Sequence, residues 1–206
     1  DLLTGIVEQS AQYGLELTVT TPLSASSVEK TYLDYIRSHR VDGFIVVRVQ
    51  RQDARIELLR QHNFPFVAFG RVEENNDFHL IDDDGVTAVH HLIEHLVAMG
   101  HRRNGCLTAP HMLTKSYNRL LGYKQGLAAY GIPEDSSLIV HGNFRQQSGR
   151  QCGLALLNLP NPPTAIVAAN DLMALGAMSA VQEKGLTVGK DVSITGFDAI
   201  MLAAFA

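Results

Sequence analysis

Short apolar runs alternate with helical stretches along the whole chain of 206 residues, and this alternation restricts the possible folds more than any other feature. Two runs, FIVV at residues 44–47 and AIVA at residues 165–168, are continuously apolar, which is typical of strands buried on both faces of a parallel sheet. Strands that alternate with helices build doubly wound parallel sheets, so the sequence predicts an α/β fold. The predicted strands are residues 16–20, 43–49, 66–69, 105–108, 137–140, 164–168 and 192–196.

Residues that start and stop helices stand between these strands. Asp84, for example, can cap a helix that stops at Gly100. The segment TAP at residues 108–110 separates two series of strand–helix units. The sequence therefore predicts two lobes, residues 1–109 and 110–206, each with a doubly wound parallel sheet flanked by helices.

Charge and cysteine content exclude several classes of protein. With 17 Lys and Arg against 21 Asp and Glu, the chain has a net charge of −4 and offers no broad basic surface for nucleic acid. No apolar run approaches the roughly 20 residues that a membrane span requires. Cys106 and Cys152 are far apart, so we expect neither a disulfide framework nor a structural metal site, and free thiols suit the cytoplasm.

Motifs that would indicate an enzyme or a cofactor are missing. The sequence has no GxGxxG, no phosphate-binding GxxxxGK[ST] and no GxSxG, so we predict no catalytic residues and no cofactor. His91 and His95 have the spacing of a helical metal pair but no matching carboxylate, which favours a solvated helix face. The segments DDD at 82–84 and HRR at 101–103 are best explained as charges that stabilise helix ends; a cation site and a nucleic-acid contact are their respective alternatives.

Six sequence motifs follow one another along the chain. They are VDGFIV at 41–46, FPFVAFGR at 64–71, HLVAMGHRR at 95–103, RLLGY at 119–123, PTAIVAANDLMALG at 163–176 and DVSITGFD at 191–198. In this order they closely resemble the LacI/GalR family of bacterial transcription regulators. The resemblance covers essentially all 206 residues, and although each segment alone is weak, six in register are specific.

This resemblance implies a two-lobed, periplasmic-binding-protein-like fold that binds a small effector, a sugar or sugar derivative, between its lobes. It implies a cytoplasmic homodimeric repressor that binds operator DNA through a helix-turn-helix headpiece, with no enzymatic activity and no membrane association. The headpiece, the first strand of the N-terminal lobe and the end of the C-terminal lobe are expected to lie outside this chain. The alternative is a periplasmic sugar-binding protein of the same fold that serves a transporter.

The resemblance places Arg119, Asn170 and Asp198 at the cleft, with Phe144 as the aromatic residue that packs on the ligand. These residue types suit a sugar, because guanidinium, amide and carboxylate groups can each grip adjacent hydroxyls while a ring covers apolar C–H groups. Asn170 and Asp198 also directly follow predicted parallel strands, where open α/β sheets bind ligands. Structural alternatives are a helix cap for Asn170, a turn for Asp198 and core packing for Phe144.

The sequence offers two further candidate binding residues, and it differs from the usual family pattern at three positions. Arg48, at the end of a predicted strand, and Asp84 are candidate ligand-binding residues of the N-terminal lobe. Asn104 falls inside a strand where the family usually has a branched apolar residue, and an unpaired buried amide there would cost about 1–3 kcal/mol. Gly85 and Ala199 also differ from the residues that are common in the family at their positions.

Overall fold

A computed structural model describes residues 2–21 and 27–202. The chain divides into two compact units, one built from Asp1–Phe44 and Ala54–Phe66 and the other from Ile45–Asp53 and Val67–Ala206. The helices are α1 (Leu2–Gln12), α2 (Val28–Ser38), α3 (Ala54–Gln61), α4 (Gly85–Ala98), α5 (Thr114–Ala129), α6 (Gln146–Leu157) and α7 (Asp171–Glu183). The strands are β1 (Phe44–Val46), β2 (Phe66–Phe69), β3 (Leu80–Ile81), β4 (Asn104–Thr108), β5 (Ile139–His141), β6 (Ala165–Ala168) and β7 (Ser193–Thr195).

The first unit contains α1, α2 and α3 and is held partly by aromatic contacts. The ring of Phe44 stacks on Tyr32 with centroids 4.7 Å apart, and Tyr35 meets the same ring edge-on. The strand predicted at residues 16–20 is wrong: within the described stretch 2–21, residues 15–21 form no regular element and are exposed. Residues that favour strands do not form one without a neighbouring ladder to take up their backbone hydrogen bonds.

Three short strands form a sheet of order β1-β2-β3. The pair β2 and β3 is parallel, with Ala68 opposite Leu80 and Phe69 opposite Ile81. The prediction at residues 66–69 is confirmed, whereas the two-residue strand β3 was missed because two residues carry no periodicity.

A second sheet of order β5-β4-β6-β7 is parallel throughout. We predicted that the chain passes from one lobe to the other near Ala109. Strand β4 lies before that residue but already pairs with β5 and β6. The chain therefore passes from the first sheet to the second between Ile81 and Asn104. The TAP segment instead marks the carboxyl end of β4. Strands predicted near residues 105–108, 137–140, 164–168 and 192–196 are all present in this sheet, which confirms the α/β class.

Helices cover both faces of the second sheet. Cys106 and Val167 pack with α4 and α5 on one face, whereas Leu107 and Ile166 pack with α6 and α7 on the other. The α4–α5 pair is close at Gly122, where a Cβ atom would lie 2.3 Å from the carbonyl oxygen of Val86. In the described residues, 2–21 and 27–202, no helix is long and apolar enough to cross a membrane.

The HRR segment at 101–103 forms contacts at the amino edge of the second sheet, where its parallel strands begin. The ring nitrogens of His101 contact the hydroxyls of Thr164 at 2.9 Å and Ser193 at 3.0 Å. Arg102 donates to the Val97 carbonyl at the end of α4, and Arg103 pairs with Asp135 at 2.8 Å. These contacts favour the structural interpretation of the segment over a nucleic-acid contact.

Candidate functional site

The candidate site lies at the carboxyl edge of the second sheet and is organised around Arg119 of α5. The Arg119 side chain is only 5% exposed, and its Nη2 donates to Oδ1 of Asp198 at 3.0 Å. Nη1 donates to the carbonyl oxygen of Ala169, which directly follows β6. The guanidinium carbon also stands 3.6 Å from the ring centroid of Phe197. Arg119 therefore joins α5 to the loops that follow β6 and β7.

Asp198 follows β7 in a conformation that L-amino acids rarely adopt. Its φ is 105° and that of the next residue, Ala199, is 51°. Partial burial raises the pKa of the Asp198 carboxyl, and the charge of Arg119 opposes this shift. The Asp198 side chain is 41% exposed, so one carboxylate group is both paired with an arginine and open to a ligand.

Asn170 acts as a helix cap and also holds a neighbouring loop. Its Oδ1 accepts from the backbone N–H of Met173 at 3.0 Å, which caps α7 and agrees with the structural alternative for this residue. Its Nδ2 donates to the carbonyl oxygen of Phe144 at 3.2 Å. Asn170 thus positions Phe144, whose half-buried ring packs against the core beside α6 and α7.

Backbone strain coincides with the predicted site. Arg48, Phe144 and Asp198, three of the six predicted binding residues, have φ values of 54°, 66° and 105°. A positive φ is uncommon outside glycine and costs on the order of 1–3 kcal/mol per residue. Such strain clusters at ligand sites, where the surrounding structure fixes side chains in positions that relaxed backbone would not give.

The two N-terminal candidates differ in their surroundings. Asp84 caps α4, because Oδ1 accepts from the Thr87 N–H at 3.0 Å and Oδ2 from the Thr87 hydroxyl at 2.7 Å, and these bonds lower the pKa of the Asp84 carboxyl. Arg48 is exposed after β1, and the carbonyl of the next residue, Val49, accepts from the N–H of Thr114 at the start of α5. No contact described here joins Arg48 or Asp84 directly to Asp198.

Sequence reasoning missed a second charged pair beside Arg119. The Nζ of Lys115 lies 2.8 Å from Oδ2 of Asp83 and 4.0 Å from the centroid of the Phe69 ring. The same Asp83 oxygen lies 3.6 Å from Nη2 of Arg119. Lys115 precedes Arg119 by four residues and shares its face of α5, and this spacing is the signal that could have identified Lys115.

Gly85 allows the helices α4 and α5 to lie close together. A Cβ atom at Gly85 would meet the Cγ atom of Arg119 at 3.2 Å, tighter than most van der Waals contacts. The departure noted at Gly85 thus has a local packing explanation. Across the described residues, no three His, Cys, Asp or Glu side chains are grouped so as to hold a metal ion.

Comparisons with known proteins identify the family of this chain. Residues 1–204 match the family model described as periplasmic binding proteins and sugar binding domain of LacI family. The chain is 33% identical over 207 positions to the HTH-type transcriptional repressor CytR of Escherichia coli strain K12; the alignment covers 100% of this chain and 60% of that protein. The chain thus spans about 60% of the length of this curated relative.

Two solved structures are similar along nearly the whole chain. A regulatory protein of the LacI family from Chloroflexus aggregans is 35% identical with a TM-score of 0.86, over 99% of this chain and 73% of that one. A complex of the transcriptional regulator CelR with cellobiose is 26% identical with a TM-score of 0.87, over 100% of this chain and 63% of that one.

Proposed function

We propose that this chain, which belongs to the family of periplasmic binding proteins and LacI-type sugar-binding domains, is the effector-binding core of a transcriptional repressor. Similarity to transcription regulators favours this function over that of a periplasmic protein serving a transporter. The proposal for the whole protein includes operator binding through a helix-turn-helix headpiece, a homodimer, and a place in the cytoplasm.

The observation that carries the proposal is the partly exposed Arg119–Asp198 pair at the carboxyl edge of a parallel sheet. Open α/β sheets bind their ligands at this edge. The strained backbone at Asp198 and Phe144 supports a binding role, because such strain clusters at ligand sites.

The proposed effector is a small sugar. Asp198 retains an oxygen that can accept from a hydroxyl, and Phe144 can cover the apolar face of a ring. Asn170 then acts mainly by positioning Phe144. The cellobiose bound by the related CelR supports a carbohydrate as the ligand.

The same contacts suggest how binding could be transmitted. Arg119 links α5 with the segments that follow β3, β6 and β7 through Asp83, Ala169 and Asp198. A ligand that competes for the Asp198 carboxylate would alter this set of links together. In the proposed repressor, the resulting movement reaches the headpieces through the dimer interface. We expect no turnover of glycosides.

Calorimetry with a sugar that binds tests the assignment. Truncating one member of a buried charged set costs about 2–5 kcal/mol of binding, so Asp198→Ala should weaken binding by roughly 30- to 5,000-fold. Asp198→Asn should weaken it less, since one acceptor oxygen remains. A suitable control is Asp135→Ala, which breaks a comparable arginine pair at the opposite edge of the sheet. Binding by Asp198→Ala within twofold of the wild type would refute the assignment.

A further inference from the structure

The charges at the site are distributed unequally between its interior and its surface. The side chains of the two cations, Arg119 and Lys115, are 5% and 25% exposed. Those of their carboxylate partners, Asp83 and Asp198, are 37% and 41% exposed. A ligand that approaches the cluster from solvent therefore meets carboxylate oxygens before it meets the positive charges.

Aromatic rings cover the cations on another side. The Phe197 ring lies 3.6 Å from the Arg119 guanidinium carbon, and the Phe69 ring lies 4.0 Å from the Lys115 ammonium nitrogen. Each cation is thus held between a ring and a carboxylate. An anionic ligand at either cation would compete with the carboxylate that already pairs with it.

The sum of nearby charges is not positive. The buried Asp171 adds a third carboxylate close to Asp198, since its Oδ2 accepts from the N–H of Ile200 at 2.8 Å and its own N–H donates to the Phe197 carbonyl. Asp83 and Asp198 pair with the two cations, Lys115 and Arg119, and Asp171 adds a third negative charge nearby.

Two helix amino ends beside the cluster already carry acceptor groups of the chain itself. That of α4 is capped by the carboxylate of Asp84, and that of α7 by the Asn170 amide with Asp171 in its first turn. At these two ends the N–H groups of Thr87 and Met173, of the kind that commonly binds phosphate, are therefore occupied.

From this arrangement we infer that the site binds an uncharged polyhydroxy ring and rejects the phosphorylated or carboxylated form of the same sugar. The inference rests on the proposed function and adds the charge class of its ligand. Hydroxyl groups donate to the exposed oxygens of Asp83 and Asp198, whereas a phosphate group would face the same oxygens with like charge. Like-charge juxtaposition costs enough to lower affinity by about 100-fold or more.

The first test uses inorganic phosphate as the probe, at constant ionic strength, with thermal unfolding of the protein as the readout. The wild type should show no saturable stabilisation by phosphate. The double variant Asp83→Asn/Asp198→Asn removes two negative charges and keeps both side-chain sizes, so it should gain saturable stabilisation. The control Asp135→Asn loses one carboxylate at the far edge of the sheet and should behave as the wild type.

The second test compares glucose and ribose with glucose 6-phosphate and ribose 5-phosphate by calorimetry, together with cellobiose. We expect binding of a neutral sugar, and at least 100-fold weaker binding of its phosphate. Tighter binding of a phosphorylated sugar, or saturable binding of inorganic phosphate by the wild type, would overturn the inference and leave the proposed function intact. If no sugar of either kind binds, the proposed function fails and this inference fails with it.

Discussion

Replacing Asn104 should stabilise the protein, although the residue lies at the centre of a sheet. Asn104 begins β4 and is 1% exposed, and both its Oδ1 and its Nδ2 lack a hydrogen-bond partner. A buried polar group without a partner costs about 1–3 kcal/mol relative to the same group in water. Leucine branches at the same atom and has the same number of heavy atoms, so Asn104→Leu removes this cost and keeps the branching of the side chain, although its two methyl groups occupy more space than the amide.

The backbone contact at this position should survive the substitution. The hydroxyl of Tyr123 donates to the main-chain carbonyl of Asn104 at 2.7 Å, a bond that does not involve the amide. The expected gain is therefore about 1–3 kcal/mol in the free energy of unfolding, which raises Tm by about 2–12 °C for a chain of this size.

Urea unfolding and calorimetry, with the slope of the urea transition unchanged, measure this gain. Two controls separate the amide from packing. Asn104→Ala also removes the amide but leaves a cavity, so it should be less stable than Asn104→Leu. Asn104→Asp buries a charge in nearly the same volume and should be the least stable. A lower Tm for Asn104→Leu than for the wild type would refute the reasoning and show that the amide is satisfied.

Two further stability predictions follow from the fold. Gly122→Ala places a Cβ atom 2.3 Å from the Val86 carbonyl oxygen and should cost about 1–3 kcal/mol in urea unfolding; Gly5→Ala in α1, with open space around it, should be neutral or stabilising, and equal effects would contradict the packing argument. Hydrogen bonds from Ser137 and Arg103 lower the pKa of Asp135, so its stabilising contribution is present at neutral pH and is lost as the pH falls below about 4. The stability gap between wild type and Asp135→Asn should narrow over that acidic range, and a gap independent of pH would show that the carboxylate charge is not responsible.

The second sheet could be predicted from sequence because its central strands, β4 and β6, are buried on both faces. Runs such as AIVA at residues 165–168 remain apolar without interruption, and glycine or proline marks the helix ends between them. The first sheet was harder to predict. Its strand β3 has two residues, too few for a pattern, and the strand expected at residues 16–20 depends on pairing that local sequence does not encode.

In the candidate site, too, features set by local sequence could be predicted, whereas contacts between residues distant in the chain could not. Asn170 and Asp198 directly follow strands, so their place at the carboxyl edge could be inferred from chain order and the family resemblance. The pairing of Lys115 with Asp83 could not, because it depends on how closely α4 and α5 approach. That approach is permitted by Gly85 and Gly122, whose missing side chains carry no charge or motif that would indicate a binding site.

The two edges of the second sheet differ in a way that supports the proposed binding site at one of them. At the amino edge, His101 contacts two uncharged hydroxyl groups and Arg103 pairs with one carboxylate. Neither residue has a positive φ. At the carboxyl edge, Asp198 has a strained backbone and a half-exposed carboxylate, and the Nε atom of Arg119 is buried without a partner. The amino edge has one such cost, the unpartnered amide of Asn104, whereas the carboxyl edge combines strained backbone, a half-exposed carboxylate and an unpartnered guanidinium nitrogen. Their concentration around Arg119 is what a site that completes its hydrogen bonds only with a ligand should show.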